Sequence, residues 1–363
     1  MTTDEAALPQ RPAGEVRRHW PAGEVRRHWP AEWQPHTATW LAWPHARDTW
    51  PGRLEEVERT YVELVRALQG RELVRIGIEG DEREARARRV LADGGVDADR
   101  GVEFVALPTD DAWLRDTGPV FARCGAEPIA LDFRFDSWGG KYPPWQRDDR
   151  VARRIAAHVR VAAERVDAVL EGGSIEGNGA GTVLTTESCL LQGNRGGGSR
   201  RSRQSMEQLL ADRLGARRVL WLGGGIRGDD TDGHVDNVTR FVARDTVVTC
   251  VQPDAGDPDH AALAANRDRL RTMRTADDAA IAVIELPLPD PVVHRGQRLP
   301  ASYANFLLAN GVALVPVFGS ASDERALAIL RDCLSGREVI GIASRDLVIG
   351  LGAVHCLTLQ EPA

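Results

Sequence analysis

Four polar clusters interrupt an otherwise apolar rhythm, and each carries groups able to do chemistry. The stretch Asp110-Asp111-Ala112-Trp113-Leu114-Arg115-Asp116 packs three carboxylates, a tryptophan and an arginine into seven residues and closes on Gly118-Pro119. Glu171-Gly172-Gly173-Ser174 sets a carboxylate on a glycine turn. Asp229-Asp230-Thr231-Asp232-Gly233-His234-Val235-Asp236-Asn237 surrounds one histidine with four carboxylates. If Gly233 to Asn237 enters a strand, His234 and Asp236 point to the same face, the pairing that general acid/base chemistry needs. Gly350-Leu351-Gly352-Ala353-Val354-His355-Cys356 places a thiol after two glycines, whose backbone can approach a ligand closely. Taken singly, each cluster has a bland reading: a salt-bridged turn, a glycine bend, a structural histidine, an inert core thiol. Taken together they hold the parts of a nucleophilic site.

Several rival chemistries fail on spelling. A phosphate-binding G-x-x-x-x-G-K-[ST] loop is excluded because Lys141 is followed by Tyr142. Lys141 is also the only lysine, so Schiff-base chemistry would have to run through it. H-E-x-x-H is absent, Glu176 stands where a G-x-S-x-G elbow needs glycine, and the glycine runs at 196–198 and 223–225 lack dinucleotide spacing. What survives is a Cys–His pair with an excess of carboxylates. Two carboxylates can grip a planar guanidinium through parallel charge-assisted hydrogen bonds. A thiolate can then substitute at its otherwise unreactive carbon through a covalent thiouronium, with histidine as proton donor and acceptor.

These groups need a scaffold, and the chain supplies alternating elements. Leu54 to Leu68 carries a helical apolar stripe, Leu73 to Ile78 reads as a strand, and Glu82 to Leu91 as a helix. Strands are expected at 102–107, 129–133, 182–191 with a turn at 186–188, 219–222, 238–242, 246–251, 312–317 and 339–342. Helices are expected at 151–165, at 202–214 before a Gly215 cap, and at 323–333. No long Pro/Ser linker divides the chain, which predicts one α/β domain. At the N-terminus Pro12 to Trp20 is repeated at Pro21 to Trp29. Two copies are too few for a solenoid, so residues 1–29 are expected to form a mobile tail and 30–363 the folded domain.

The balance of 363 residues is acidic: 53 Asp and Glu against 46 Lys and Arg give −7. That argues against nucleic acid, whose affinity comes from phosphate neutralisation, and suits a small cationic substrate. The five scattered cysteines spell neither a disulfide framework nor a zinc site. No stretch approaches the ~20 apolar residues of a membrane span, and the start lacks signal-peptide order. A cytoplasmic protein is expected.

The stretches AEWQPHTATWLAWPH, DDAWLRDTGPVF, FDSWGGKYPPW, LEGGSIEGNGAGTVLTTESCLL, DDTDGHVDN and GAVHCLTLQEP, in that order, resemble the agmatine deiminase family. That family lies within the guanidino-group-modifying superfamily, which includes peptidylarginine deiminases, and the resemblance covers about Pro30 to Pro362. It implies a single-domain, five-fold pseudosymmetric α/β-propeller (pentein), hydrolysis of agmatine, and no metal or organic cofactor. It assigns Cys356 as nucleophile, His234 as acid/base, and Asp116 and Asp236 as the guanidinium clamp. Trp113, Asp230 and Glu171 are the implied substrate-binding residues. Deimination of another guanidine, or amidino transfer, shares the same intermediate, and assembly into a homo-oligomer stays open.

Overall fold

The computed structural model describes residues 27–198 and 200–363. Five sheets share one local topology. In each, a first strand pairs antiparallel with a second, and the second pairs parallel with a third after a helical crossover. The strand triplets are Leu359–Pro362, His36–Ala42 and Leu73–Ile78; Val120–Cys124, Glu127–Arg134 and Ala162–Val169; Ile175–Gly177, Thr182–Thr186 and Arg218–Leu222; Thr239–Ala243, Thr246–Val251 and Ala282–Pro287; and Leu307–Ala309, Val312–Val317 and Glu338–Ala343. Val102–Ala106 extends the first sheet and Arg27–His28 edges the second. Parallel strands cannot be joined by a tight turn, so a crossover helix is required each time. The crossovers are Leu54–Leu68, Val151–Val159, Arg203–Leu214, His260–Thr272 and Asp323–Cys333. The outcome is an α/β fold.

The helix Leu54–Leu68 shows why the pattern works. Its stripe buries Val57, Tyr61, Leu64, Val65 and Leu68 against the first sheet's Val74 and Ile76. Arg203–Leu214 starts on Ser202, whose hydroxyl accepts from the Ser205 amide, and ends on Gly215 in the left-handed region (φ 71°). Three apolar clusters form the interior. No helix among the described residues is long and apolar enough to cross a membrane.

Two expectations need correction. The helix expected at 151–165 stops at Val159, where Arg160 turns left-handed (φ 57°), and the remainder becomes the strand Ala162–Val169. Residues 27–29, expected to belong to a tail, are part of the fold. Arg27–His28 pairs with Arg123–Cys124, and the Trp29 ring lies where a side chain at Gly177 would be. The first nonapeptide copy and most of the second lie outside the described residues.

Candidate active site

The site is built from equivalent positions of the five sheets: the short turn that leads into each first strand. The helical turn Leu114–Thr117 carries Asp116, Gly172–Ser174 follows Glu171, Val235–Asn237 carries Asp236 and follows His234, and Val354–Leu357 carries Cys356. The fifth turn, before Leu307–Ala309, brings Asn305. His234 and Asp236 therefore meet across a 3-10 turn, not along a strand. Their convergence survives because the turns pack on one another.

The Asn305 amide donates to Cys356 Sγ at 3.2 Å, and Sγ lies 3.9 Å from Asp236 Oδ2. Asp116 Oδ1 accepts from the Gly173 amide at 2.9 Å and Oδ2 from Trp138 Nε1 at 3.0 Å. His234 Nδ1 stands 3.8 Å from Asp116 Oδ2, and Nε2 stands 3.9 Å from Glu171 Oε2. Asp236 Oδ1 accepts nothing from the described residues. All of these side chains are buried.

Burial and charge set the protonation. Burial raises the Cys356 pKa well above that of a free thiol, and the carboxylates of Asp236 and Asp116 push the same way. Burial also raises Asp116, reinforced by Asp236 and Glu171 against the opposing pull of His234. Burial works against a charged His234, yet Asp116 above all, with Cys189 and Glu171, lifts its pKa well above the ordinary imidazole value. Glu171 resists burial through Arg195 and His234 and falls to about 2. Without a ligand the site thus holds a protonated thiol beside an imidazolium.

A cavity of about 460 Å³ opens onto Cys356 and Asp116. Its walls include Trp113, Trp138 and Tyr142, and Asp48, Asp110, Asp111 and Asp230 make it strongly acidic, with Lys141 as its one cation among the described residues. Trp113 fixes its ring by donating from Nε1 to Asp111 at 3.1 Å and tilting on Trp50. Asp230 accepts from the Tyr142 hydroxyl at 2.5 Å.

The expected binding residues divide. Trp113 and Asp230 line the cavity, whereas Glu171 does not. Its Oε1 accepts from Arg195 Nε at 2.5 Å, and its other oxygen faces His234. Glu171 therefore stands behind the imidazole, 3.9 Å from it, and outside the cavity. Gly350 and Gly352 line the cavity, in keeping with a close approach to ligand, and also make room for the Trp50 and Trp113 rings, which come within 2.6 Å and 2.5 Å of where a Cβ would stand. Arg115 is structural, but its partners lie outside its own loop: Gln360, the His355 carbonyl and, at 3.7 Å, Glu32. Glu171, Cys189 and His234 are the one set of three metal-type donors among the described residues, within 4.8 Å of one another. The guanidinium of Arg195, bonded to Glu171 and 3.9 Å from the Cys189 sulfur, already supplies the positive charge there.

Sequence reasoning missed Asn305, Trp138, Arg195 and a buried ion network. In that network Arg240 donates to Glu176 at 2.9 Å and to Glu32 at 2.8 Å. His355 joins Glu32 to Asp236. Glu32 and Arg240 lie in apolar surroundings more than 200 residues apart, and local spacing carries no sign of their pairing.

Comparison with known proteins places this geometry in context. Residues 28–362 match the model of a family described as Porphyromonas-type peptidyl-arginine deiminase. An agmatine deiminase of Pseudomonas aeruginosa is 36% identical over 92% of this chain and 95% of its own length. The structure of the Enterococcus faecalis agmatine deiminase superposes with a TM-score of 0.85 at 30% identity, covering 94% of this chain and 98% of that one. A cysteine-to-serine variant of the C. jejuni agmatine deiminase with substrate bound gives 0.85 at 28% identity, covering 95% and 99%.

Proposed function

The chain belongs to the Porphyromonas-type peptidyl-arginine deiminase family, and on that premise we propose that it hydrolyses agmatine to N-carbamoylputrescine and ammonia. The observation that carries the reading is the acidic cavity ending on Cys356 and Asp116, with Asp236 3.9 Å behind the thiol and His234 3.8 Å from Asp116. The agmatine deiminase relatives at 35–36% identity support it. We also infer that the five equivalent sheets form the blades of a five-fold propeller within one cytoplasmic catalytic domain.

In this mechanism Asp116 and Asp236 hold the guanidinium nitrogens. The bound cation offsets both carboxylates and lowers the thiol pKa, so the thiol proton leaves to solvent. The thiolate attacks the guanidinium carbon to give a tetrahedral adduct. The His234 imidazolium protonates one amino group, the C–N bond breaks, and ammonia departs. The carbon remains on sulfur as a thiouronium. Neutral His234 then takes a proton from water as the hydroxide adds to that carbon. Collapse to the urea breaks the C–S bond, the electron pair returns to sulfur, and the hydroxyl proton passes to the released thiolate. At the far end, Asp230 and the neighbouring carboxylates receive the terminal ammonium.

Product analysis tests the reading. Agmatine alone should yield ammonia and N-carbamoylputrescine in equal amounts, with no amine acceptor. A requirement for an acceptor would indicate amidino transfer instead. Turnover of a different guanidine, with agmatine inert, would retain the chemistry and replace the substrate.

A further inference from the structure

The mechanism leaves one titratable group at the centre without a task. His355 immediately precedes the thiol and is 1% exposed. Its Nδ1 lies 2.8 Å from Asp236 Oδ2, and its Nε2 lies 2.8 Å from Glu32 Oε2. A neutral imidazole offers one donor and one acceptor, while a carboxylate only accepts. Both contacts are hydrogen bonds only if the ring carries two protons or one carboxyl carries one.

The surroundings of the two acids decide between those states. Glu32 Oε1 accepts from the Leu308 amide at 2.7 Å, and Oε2 accepts from Arg240 at 2.8 Å. Glu32 is thus an acceptor at both oxygens. Burial opposes its charge, but Arg240 above all, with Arg115, pulls its pKa the other way, to well below the usual value. Geometry sets the neighbours: Glu32, Glu176 and Asp236 surround the ring, with the guanidinium groups of Arg115 and Arg240 on Glu32 and Glu176.

We propose that His355 is a positioning residue for deimination: an imidazolium fixed between Glu32 and Asp236, it pins Asp236 Oδ2 and leaves Oδ1 as the acceptor for the incoming guanidinium. The proposal rests on the reading of Asp236 as half of the clamp. Asp236 Oδ1 is buried and accepts no hydrogen bond from the described residues, as this arrangement requires. Because Cys356 is the next residue, the ring that orients the clamp also ties it to the turn bearing the nucleophile.

Two measurements test this. The first uses the ligand-free wild-type chain with 15N-labelled histidine, the His355 signals being assigned by their loss in His355→Gln. Two protonated ring nitrogens at neutral pH are expected, and one unprotonated nitrogen would overturn the proposal. This readout holds whether or not agmatine is turned over, whereas wild-type inactivity toward agmatine would sink only the functional reading.

The second measurement is the pH profile of kcat/KM in His355→Gln. The glutamine can still donate one hydrogen bond but carries no charge. Without the cation, the pKa of Asp236 rises, so activity that needs the carboxylate fails sooner as pH falls. The acid limb should move to higher pH, with kcat/KM reduced about 10- to 100-fold at neutral pH, the range for loss of a group that orients a reacting side chain. A loss of thermal stability with an unmoved acid limb would make His355 merely structural and overturn the proposal. If the variant does not fold, the ring nitrogens are assigned by sequential labelling in the wild-type chain, and that result decides.

Discussion

The Gly173 amide donates to Asp116 at 2.9 Å, and the same residue leaves the one space on which the acidic centre turns. A Cβ at Gly173 would stand 2.6 Å from His234 Nδ1 and 2.9 Å from both Asp116 Oδ1 and Asp236 Oδ2. The three groups surround the glycine as they would surround a small ligand. Gly173→Ala should therefore push imidazole and carboxylates apart while the backbone, which is not left-handed there, keeps its path. A loss of about 100-fold in kcat/KM is expected from a displacement of this size. Unchanged kinetics would mean that the three groups do not act as a unit.

Cys356→Ala should abolish turnover and leave the fold intact, as judged by circular dichroism and melting temperature. Because burial and the neighbouring acids raise the thiol pKa, the thiolate fraction of the free protein should be small at neutral pH and rise on binding a guanidinium inhibitor. Thiolate absorbance measured with and without inhibitor checks this. Equal fractions would disprove the role given to the cation.

His234 has a pKa raised above its unfolded value, with burial opposing and Asp116 leading the upward push. The stability it contributes is fully present below the ordinary imidazole pKa and is lost as pH rises through the folded value. Its capacity to protonate departing ammonia follows the same limb. The alkaline fall in kcat should thus come later than for an ordinary histidine. In Asp116→Asn it should move back toward neutral pH, with a loss of about 10- to 100-fold for the missing charge-assisted bond. An alkaline limb unmoved by that substitution would assign it to another group.

Agmatine should be preferred strongly over arginine. The α-carboxylate of arginine would enter a cavity lined by Asp230, Asp110, Asp111 and Asp48. At ~4 Å, one like-charge contact costs roughly 4 kcal/mol at an effective dielectric near 20, equivalent to several hundred-fold. Arg115 cannot relieve it, being turned toward Gln360 and the His355 carbonyl. Comparable kcat/KM values for the two substrates would refute this assignment.

Arg240→Leu should destabilise the fold by about 3–5 kcal/mol, because Glu32 and Glu176 would lose their shared buried cation. In the wild type the depressed Glu32 pKa contributes stability above the unfolded value and loses it as pH falls. The gap between wild type and variant should accordingly narrow in acid. Urea denaturation at neutral and acidic pH would show it, and a constant gap would place the loss in packing instead.

His234, Asp236 and Asp116 stood out in the sequence because each sits among closely spaced carboxylates, and Cys356 because two glycines precede it. The positions of the crossover helices 54–68, 203–214 and 323–333 were readable for a complementary reason: each buries one continuous stripe or ends on a recognisable cap. Asn305 and His355 offered no such contrast. Their meaning lies in contacts with Cys356 and with Glu32, residues that only the folded sheets bring near. Gly352 carried more than its sequence told, since it lines the cavity as read and also admits an indole.

The pairing of Leu359–Pro362 with His36–Ala42 has a consequence for synthesis. The strand that anchors the reactive thiol belongs to a sheet whose other members emerge from the ribosome almost a whole chain earlier. Until that late strand docks, the acidic pocket can gather around an empty place, and a nascent chain carries no assembled nucleophile. Joining such distant segments is slow. The chemistry is thereby withheld from every incomplete copy.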